Sequence, residues 1–128
     1  MVLSALALLA ASSAHAGDRC APGDPAVDMV IVSVVQDLPQ YQNYRSELAK
    51  SGLIDAYGGA VLAVGTKLNA DPEMLEGSWP ADRHTFVIRW PCRAAAKAFW
   101  ESEKYQKELR PLRDGSGQFD VALYPAVK

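Results

Sequence analysis

The sequence is poor in the residues that make metal sites and disulfide scaffolds. It holds two cysteines and two histidines in 128 residues, too few for a Cys-rich zinc site or a disulfide-built framework. Neither sign of charge dominates: 13 Lys and Arg face 15 Asp and Glu, a formal net charge of −2. That balance lacks the electrostatic footprint of a nucleic-acid binder. No apolar run reaches the ~20 residues of a membrane-spanning helix. A phosphate-binding loop, a dinucleotide fingerprint, a Gly-x-Ser-x-Gly elbow and an HExxH motif are all missing, so nothing local supports hydrolysis by a Ser-His-Asp triad. What remains is an ordinary globular balance, 49% hydrophobic and 22% charged. The length suits one domain.

The first sixteen residues, MVLSALALLAASSAHA, carry no charged side chain. Val2 to Ala11 is apolar except for Ser4. A core of about ten residues has the length of a signal-peptide core rather than of a span. Ala14-His15-Ala16 has the A-x-A form that signal peptidase accepts, and cleavage there leaves Gly17 as the N-terminus. The sequence predicts 1–16 as an export signal, 17–27 as a Gly, Pro and Asp-rich linker, and 28–126 as the folded domain. An exported protein is expected, periplasmic if the host is Gram-negative, with no membrane span after cleavage. A buried N-terminal helix is the competing reading of the same run.

Along the mature chain, Asp28 to Val35 is a β-branched run that suits a central strand. Asp37 can cap a helix whose first turn tolerates Pro39. Tyr41, Tyr44 and Leu48 follow at helical spacing; Gly52 weakens that helix and Gly58-Gly59 ends it. Ala60 to Val64 is a second strand, and Met74 to Gly77 a short strand or edge piece. Thr85 to Trp90 is a third long strand, stopped by Pro91. Arg93 to Glu101 is an Ala-rich helix, with Tyr105, Leu109 and Leu112 continuing an apolar stripe. Phe119 to Tyr124 closes the chain as a strand. The order β-α-β-β-α-β predicts an α+β, ferredoxin-like fold with an antiparallel sheet and two helices on one face. The uncovered face is most simply covered by a second copy, which predicts a C2 homodimer.

Tyr57-Gly58-Gly59, Leu75-Glu76-Gly77-Ser78-Trp79-Pro80, Arg83, Ser102-x-x-Tyr105-Gln106 and Arg110-x-x-Arg113 together resemble a known family. It is the bacterial family of domains of unknown function called DUF1330, in the dimeric α+β barrel superfamily. Pro39-x-Tyr41-x-x-Tyr44 fits the same pattern. The resemblance spans roughly Val30 to Tyr124 and implies a ferredoxin-like protomer and a dimer, without an established activity. The chain departs from it at Ala60 and Val64, where relatives carry basic residues. Superfamily relatives include cofactor-free monooxygenases, haem-degrading enzymes and small isomerases, among which fold analogy cannot choose.

The densest polar and aromatic cluster is Glu76-Gly77-x-Trp79-Pro80-x-Asp82-Arg83-His84. As a cleft lip it supplies Glu76 and His84 for proton transfer, Arg83 as an anion clamp and Trp79 as an apolar wall. As a plain turn, Trp79 plugs the core edge and Glu76 pairs with an arginine. A second constellation joins Tyr57 and Tyr105 to Arg110 and Arg113, whose i, i+3 spacing puts two guanidiniums on one helix face, able to hold a carboxylate or phosphate. The alternative is a solvated face pairing with Glu108 or Asp114.

Cys92 opens the second helix, with Arg89 and Arg93 close in sequence, a setting that lowers a thiol pKa and makes it a reactive-thiol candidate. Export would also permit a bridge to Cys20. Geometry argues against that bridge within one chain: with the third strand taken as the parallel neighbour of the first, the two cysteines lie a strand length apart, about 26 Å, and only a fully extended tail would join them. A passive helix-start cysteine is the third reading. No metal site and no cofactor are predicted, since His84 is the single histidine after residue 16. The leading functional expectation is a small exported protein that binds a partly aromatic or acidic small molecule between sheet and helices. The alternatives are a cofactor-independent isomerase or monooxygenase using Glu76 or His84, and a passive envelope protein without a ligand.

Overall fold

A computed structural model describes residues 19–65 and 72–127. The predicted export signal lies outside the described residues. Four strands, β1 (Val27–Val35), β2 (Ala60–Gly65), β3 (Arg83–Trp90) and β4 (Gly117–Pro125), form one sheet in the order β2-β3-β1-β4. Each neighbouring pair is antiparallel. Between them lie α1 (Leu38–Ser51), α2 (Leu53–Ala56) and α3 (Arg93–Glu101). After α3 come a π-helical turn (Lys104–Leu109) and a 3₁₀ turn (Arg110–Arg113).

Burial alternates along β1 and β3 with the period of a half-covered sheet. Val27, Met29, Phe86, Ile88 and Trp90 point to the helices and join Tyr41, Tyr44, Leu48, Ala96 and Phe99 in one core. Asp37 caps α1 by accepting from the Gln40 N–H at 3.1 Å. Gly52, in the left-handed region at φ 65, ends that helix, so the helical pattern read through to Gly58 is two helices. At Gly59 a Cβ would come within 2.7 Å of Ile54 and 2.8 Å of Trp90. The glycine pair after Tyr57 is therefore where the chain passes against the Trp90 ring.

Two expected elements differ. Met74 to Gly77 forms no strand: the segment 72–80 is exposed, bounded by Pro72 and Pro80, and turned at Gly77 with φ 76. The stripe at Tyr105, Leu109 and Leu112 lies not on a regular α-helix but on the π and 3₁₀ turns.

The cysteine geometry is corrected as well. The β1-α1-β2 crossover returns β2 parallel to β1, and β3 runs back against β2, so β3 is antiparallel to β1. The register pairs Val27 with Trp90, which brings the approach to β1 beside the exit from β3. Cys20 and Cys92 are bridged there, with Cα atoms 5.7 Å apart. Cys92 is thus a disulfide half and not a reactive thiol, and the segment before β1 is pinned at Cys20. No described cysteine is free.

Candidate functional site

The helical spacing of Tyr41, Tyr44 and Leu48 turns these side chains onto the sheet, where all three are buried. Arg45, four residues after Tyr41, runs half-buried down the flank of α1. Its guanidinium carbon lies 4.6 Å from the centre of the Phe86 ring and 5.9 Å from that of Tyr41. An Arg45 N–H donates to the Tyr41 hydroxyl at a long 3.5 Å.

From the other side, the 3₁₀ turn drives Arg113 inside, where it is 5% exposed. Its guanidinium carbon sits 4.1 Å from the Phe119 ring centre and 5.6 Å from that of Tyr44. The turn is tied down by the Gln40 amide, which donates to the Leu112 and Asp114 carbonyls at 3.1 and 2.7 Å. The Ser116 hydroxyl donates to the Arg113 carbonyl at 2.6 Å. Tyr44 and Tyr105 share a buried hydroxyl–hydroxyl bond of 2.9 Å. Burial first, and then the neighbouring Tyr105, raises the Tyr44 pKa well above a free phenol, so Tyr44 stays neutral.

His84 lies under Tyr41 with ring centres 5.3 Å apart and is 2% exposed. It pairs across strands with Ser33. Neither His84 Nδ1 nor Ser33 Oγ has a hydrogen-bond partner, and neither has Arg113 Nε. Desolvation, helped by the Arg45 charge and opposed by Asp82, lowers the His84 pKa. Arg45 and Arg113 form no ion pair with a described residue. The interior therefore holds two cations among rings and, packed against Tyr41, an imidazole whose Nδ1 makes no bond.

Two cavities meet there. The outer one, about 230 Å³, opens between α1, α2 and the β2 edge and is walled by Leu48, Ile54, Val61 and Val64, with Asp55 also in its lining. The inner one lies among Tyr41, Tyr44, Arg113 and Phe119 and measures about 10 Å³, room for roughly one water. Arg45, Leu48 and Phe86 line both.

The residues singled out in the sequence are scattered. Tyr105 and Arg113 reach this interior. Arg110 does not: it stays exposed over Trp100 at 5.6 Å and donates to Gln106 at 2.7 Å, so the two guanidiniums expected on one face are separated. The change from π to 3₁₀ geometry between them breaks the spacing of a regular helix. Tyr57 is half-buried, its ring centre 6.3 Å from that of Phe99 and covered by Arg19 at 4.5 Å. Trp79 and Arg83 do meet, but on the surface: the indole N–H donates to the Arg83 carbonyl at 3.2 Å, and the guanidinium lies 5.5 Å from the ring centre. Glu76 stands on the exposed 72–80 segment and lines neither cavity. Arg45, Ser33 and Phe119 were not legible as site residues. The one available signal was the position of Arg45, next to Tyr44 and one helical turn after Tyr41. Among the described residues no group of three His, Cys, Asp or Glu could hold a metal ion, and no helix is long and apolar enough to cross a membrane.

An antiparallel β2-β3-β1-β4 sheet with its helices packed over one face defines a ferredoxin-like α+β fold. The chain belongs to the DUF1330 family, a domain of unknown function, matched over residues 29–127. Among solved structures it is similar to SnoaB, a cofactor-independent oxygenase from Streptomyces nogalater, with 12% identity over 81% of this chain and 95% of that one, and a TM-score of 0.56. It is also similar to RPA0582, a protein of unknown function from Rhodopseudomonas palustris (19% identity, 82% of this chain, 85% of that one, TM-score 0.57). A conserved protein from Methanosarcina mazei Go1 shares the fold at 17% identity, over 79% of this chain and 92% of that one, with a TM-score of 0.51. No curated protein matches the chain.

Proposed function

We propose that this protein is an exported binder of a small organic molecule, held in the outer cleft between α1 and the β2–β3 side of the sheet. The observation that carries the reading is the base of that cleft: it ends on Arg45 stacked over Phe86, with a polar, ring-lined space behind. Fully buried polar atoms without partners are costly in a core built only for stability. Convergent polar groups behind an apolar mouth are what a ligand site requires. Export is supported by the Cys20–Cys92 bridge, since disulfides persist in oxidising compartments.

A second copy is the proposed partner. The sheet face away from the helices presents Val30, Val32, Val34, Val87 and Ala122, with the Asp28–Arg89 pair at 2.9 Å toward one end. Such a stripe suits sheet-to-sheet pairing. The tested prediction is specific: native mass spectrometry of the protein from the envelope of its own host shows a dimer of chains beginning at Gly17 with extra bound mass. A ligand-free monomer retaining Met1 overturns the reading.

One observation favours catalysis as the second reading. His84 is buried with a free Nδ1 and is held neutral, the state of a ready proton acceptor. The likeness to a cofactor-independent oxygenase is in keeping with it. Turnover lost in His84→Ala while ligand affinity survives would establish it.

A further inference from the structure

We infer that the two cavities are one site closed by Arg45, and that its occupant is an organic carboxylate whose acid group seats on Arg113 while its apolar body fills the outer cleft. This rests on the cleft being a ligand site, as proposed above.

Charge carries the first part. The lining of the inner cavity contains two guanidiniums and no carboxylate. The Tyr44 phenol cannot balance them, because burial holds it in its neutral form. His84, whose pKa is lowered by desolvation, lines neither cavity. A cation as buried as Arg113 without a counter-ion is unfavourable until an anion reaches it. Its Nε–H is aligned with nothing in the protein, and the planar guanidinium fork matches a carboxylate.

Size and direction carry the second part. The inner cavity has room for roughly one water, so a carboxylate enters only if a wall moves. Arg45 is the wall common to both cavities, and a single 3.5 Å bond and stacking hold it in place. Swinging it off Phe86 joins the two spaces. The outer walls, Leu48, Ile54, Val61 and Val64, suit an apolar body. Asp55, the one acidic residue in that lining, repels an acid group left in the outer cleft and so favours entry head first.

Phenylacetate and phenylacetamide have nearly the same shape and differ in charge. The test is to titrate each into the disulfide-bonded mature chain and to follow the arginine Nε–H signals by NMR. The acid is expected to bind at least about tenfold more tightly than the amide, with the Arg113 Nε–H signal moving on saturation. Arg113→Gln removes the preference, whereas Arg45→Ala keeps a preference and speeds association. Equal affinities overturn the carboxylate assignment and leave the cleft standing as a neutral site. A preference for the acid without movement of the Arg113 signal overturns the placement. Binding by neither compound into the millimolar range overturns the cleft reading itself. Should Arg113→Gln fail to fold, the acid–amide ratio and the wild-type Arg113 signal decide alone.

Discussion

The core under α3 and the core under α1 are built on different terms. Under α3, Trp90 and Phe99 lie 4.8 Å apart and Phe99 and Tyr105 4.7 Å apart. Ala95 and Ala96 let the helix close on the sheet, and the Cys20–Cys92 bridge locks the same end. Its only buried side-chain polar atom without a partner, among the described residues, is Trp90 Nε1. Under α1 the space is filled by tyrosines, two arginines and a histidine, and Ser33 Oγ, His84 Nδ1 and Arg113 Nε all go unpartnered. One half gains stability from close packing and a covalent tie. The other gives up hydrogen bonds that an inert core would make, which is the pattern expected where function and stability compete.

The contrast can be broken at its strong end first. Phe99→Ala is expected to cost about 3–5 kcal/mol in urea unfolding, through lost burial and a cavity that the surrounding rings cannot close. Reducing the bridge, or replacing both cysteines by serine, is expected to cost about 2–4 kcal/mol, since it frees a loop of 72 residues. Unfolding with and without reductant measures it. At the α1 end, His84→Leu is expected to change stability by less than about 1 kcal/mol although His84 is 2% exposed, because it removes a buried ring whose Nδ1 makes no bond. A loss comparable to that of Phe99→Ala would erase the distinction between the halves.

The smallest effect is in pH. Folding lowers the His84 pKa from its ordinary 6.5, so the unfolded chain takes up the proton first as pH falls. Stability therefore declines below about pH 6.5 and levels off once the folded histidine also titrates. Unfolding midpoints between about pH 7.5 and 5 should show that slope in the native chain. They should show less of it in His84→Leu.

Much of the fold was legible because its signals are local. The β-branched run placed β1 within one residue of its observed start at Val27, and Asp37 and Pro39 marked the start of α1, although its end was read at Gly58-Gly59 and lies at Gly52. Arg93 to Glu101 is the span observed for α3. The site was less legible. Arg110 and Arg113 look equivalent in sequence, yet one lies over Trp100 in solvent and the other over Phe119 in the core. Arg45 reads as a surface residue until Phe86, distant in sequence, is set beneath it. Glu76, chosen for its crowded neighbourhood, sits on a segment that crosses no cavity named here.

The sequence by itself determined the four strands, the start of α1 and the span of α3, and which of their faces turn inward, because hydrophobic period, capping and turn chemistry act between near neighbours. The predicted antiparallel sheet already implied that β3 runs against β1; the tertiary structure decided the register that sets Val27 opposite Trp90, and with it the Cys20–Cys92 bridge. It alone decided which arginines lie among the rings. Those outcomes depend on contacts between residues far apart in the chain, and no local period encodes them.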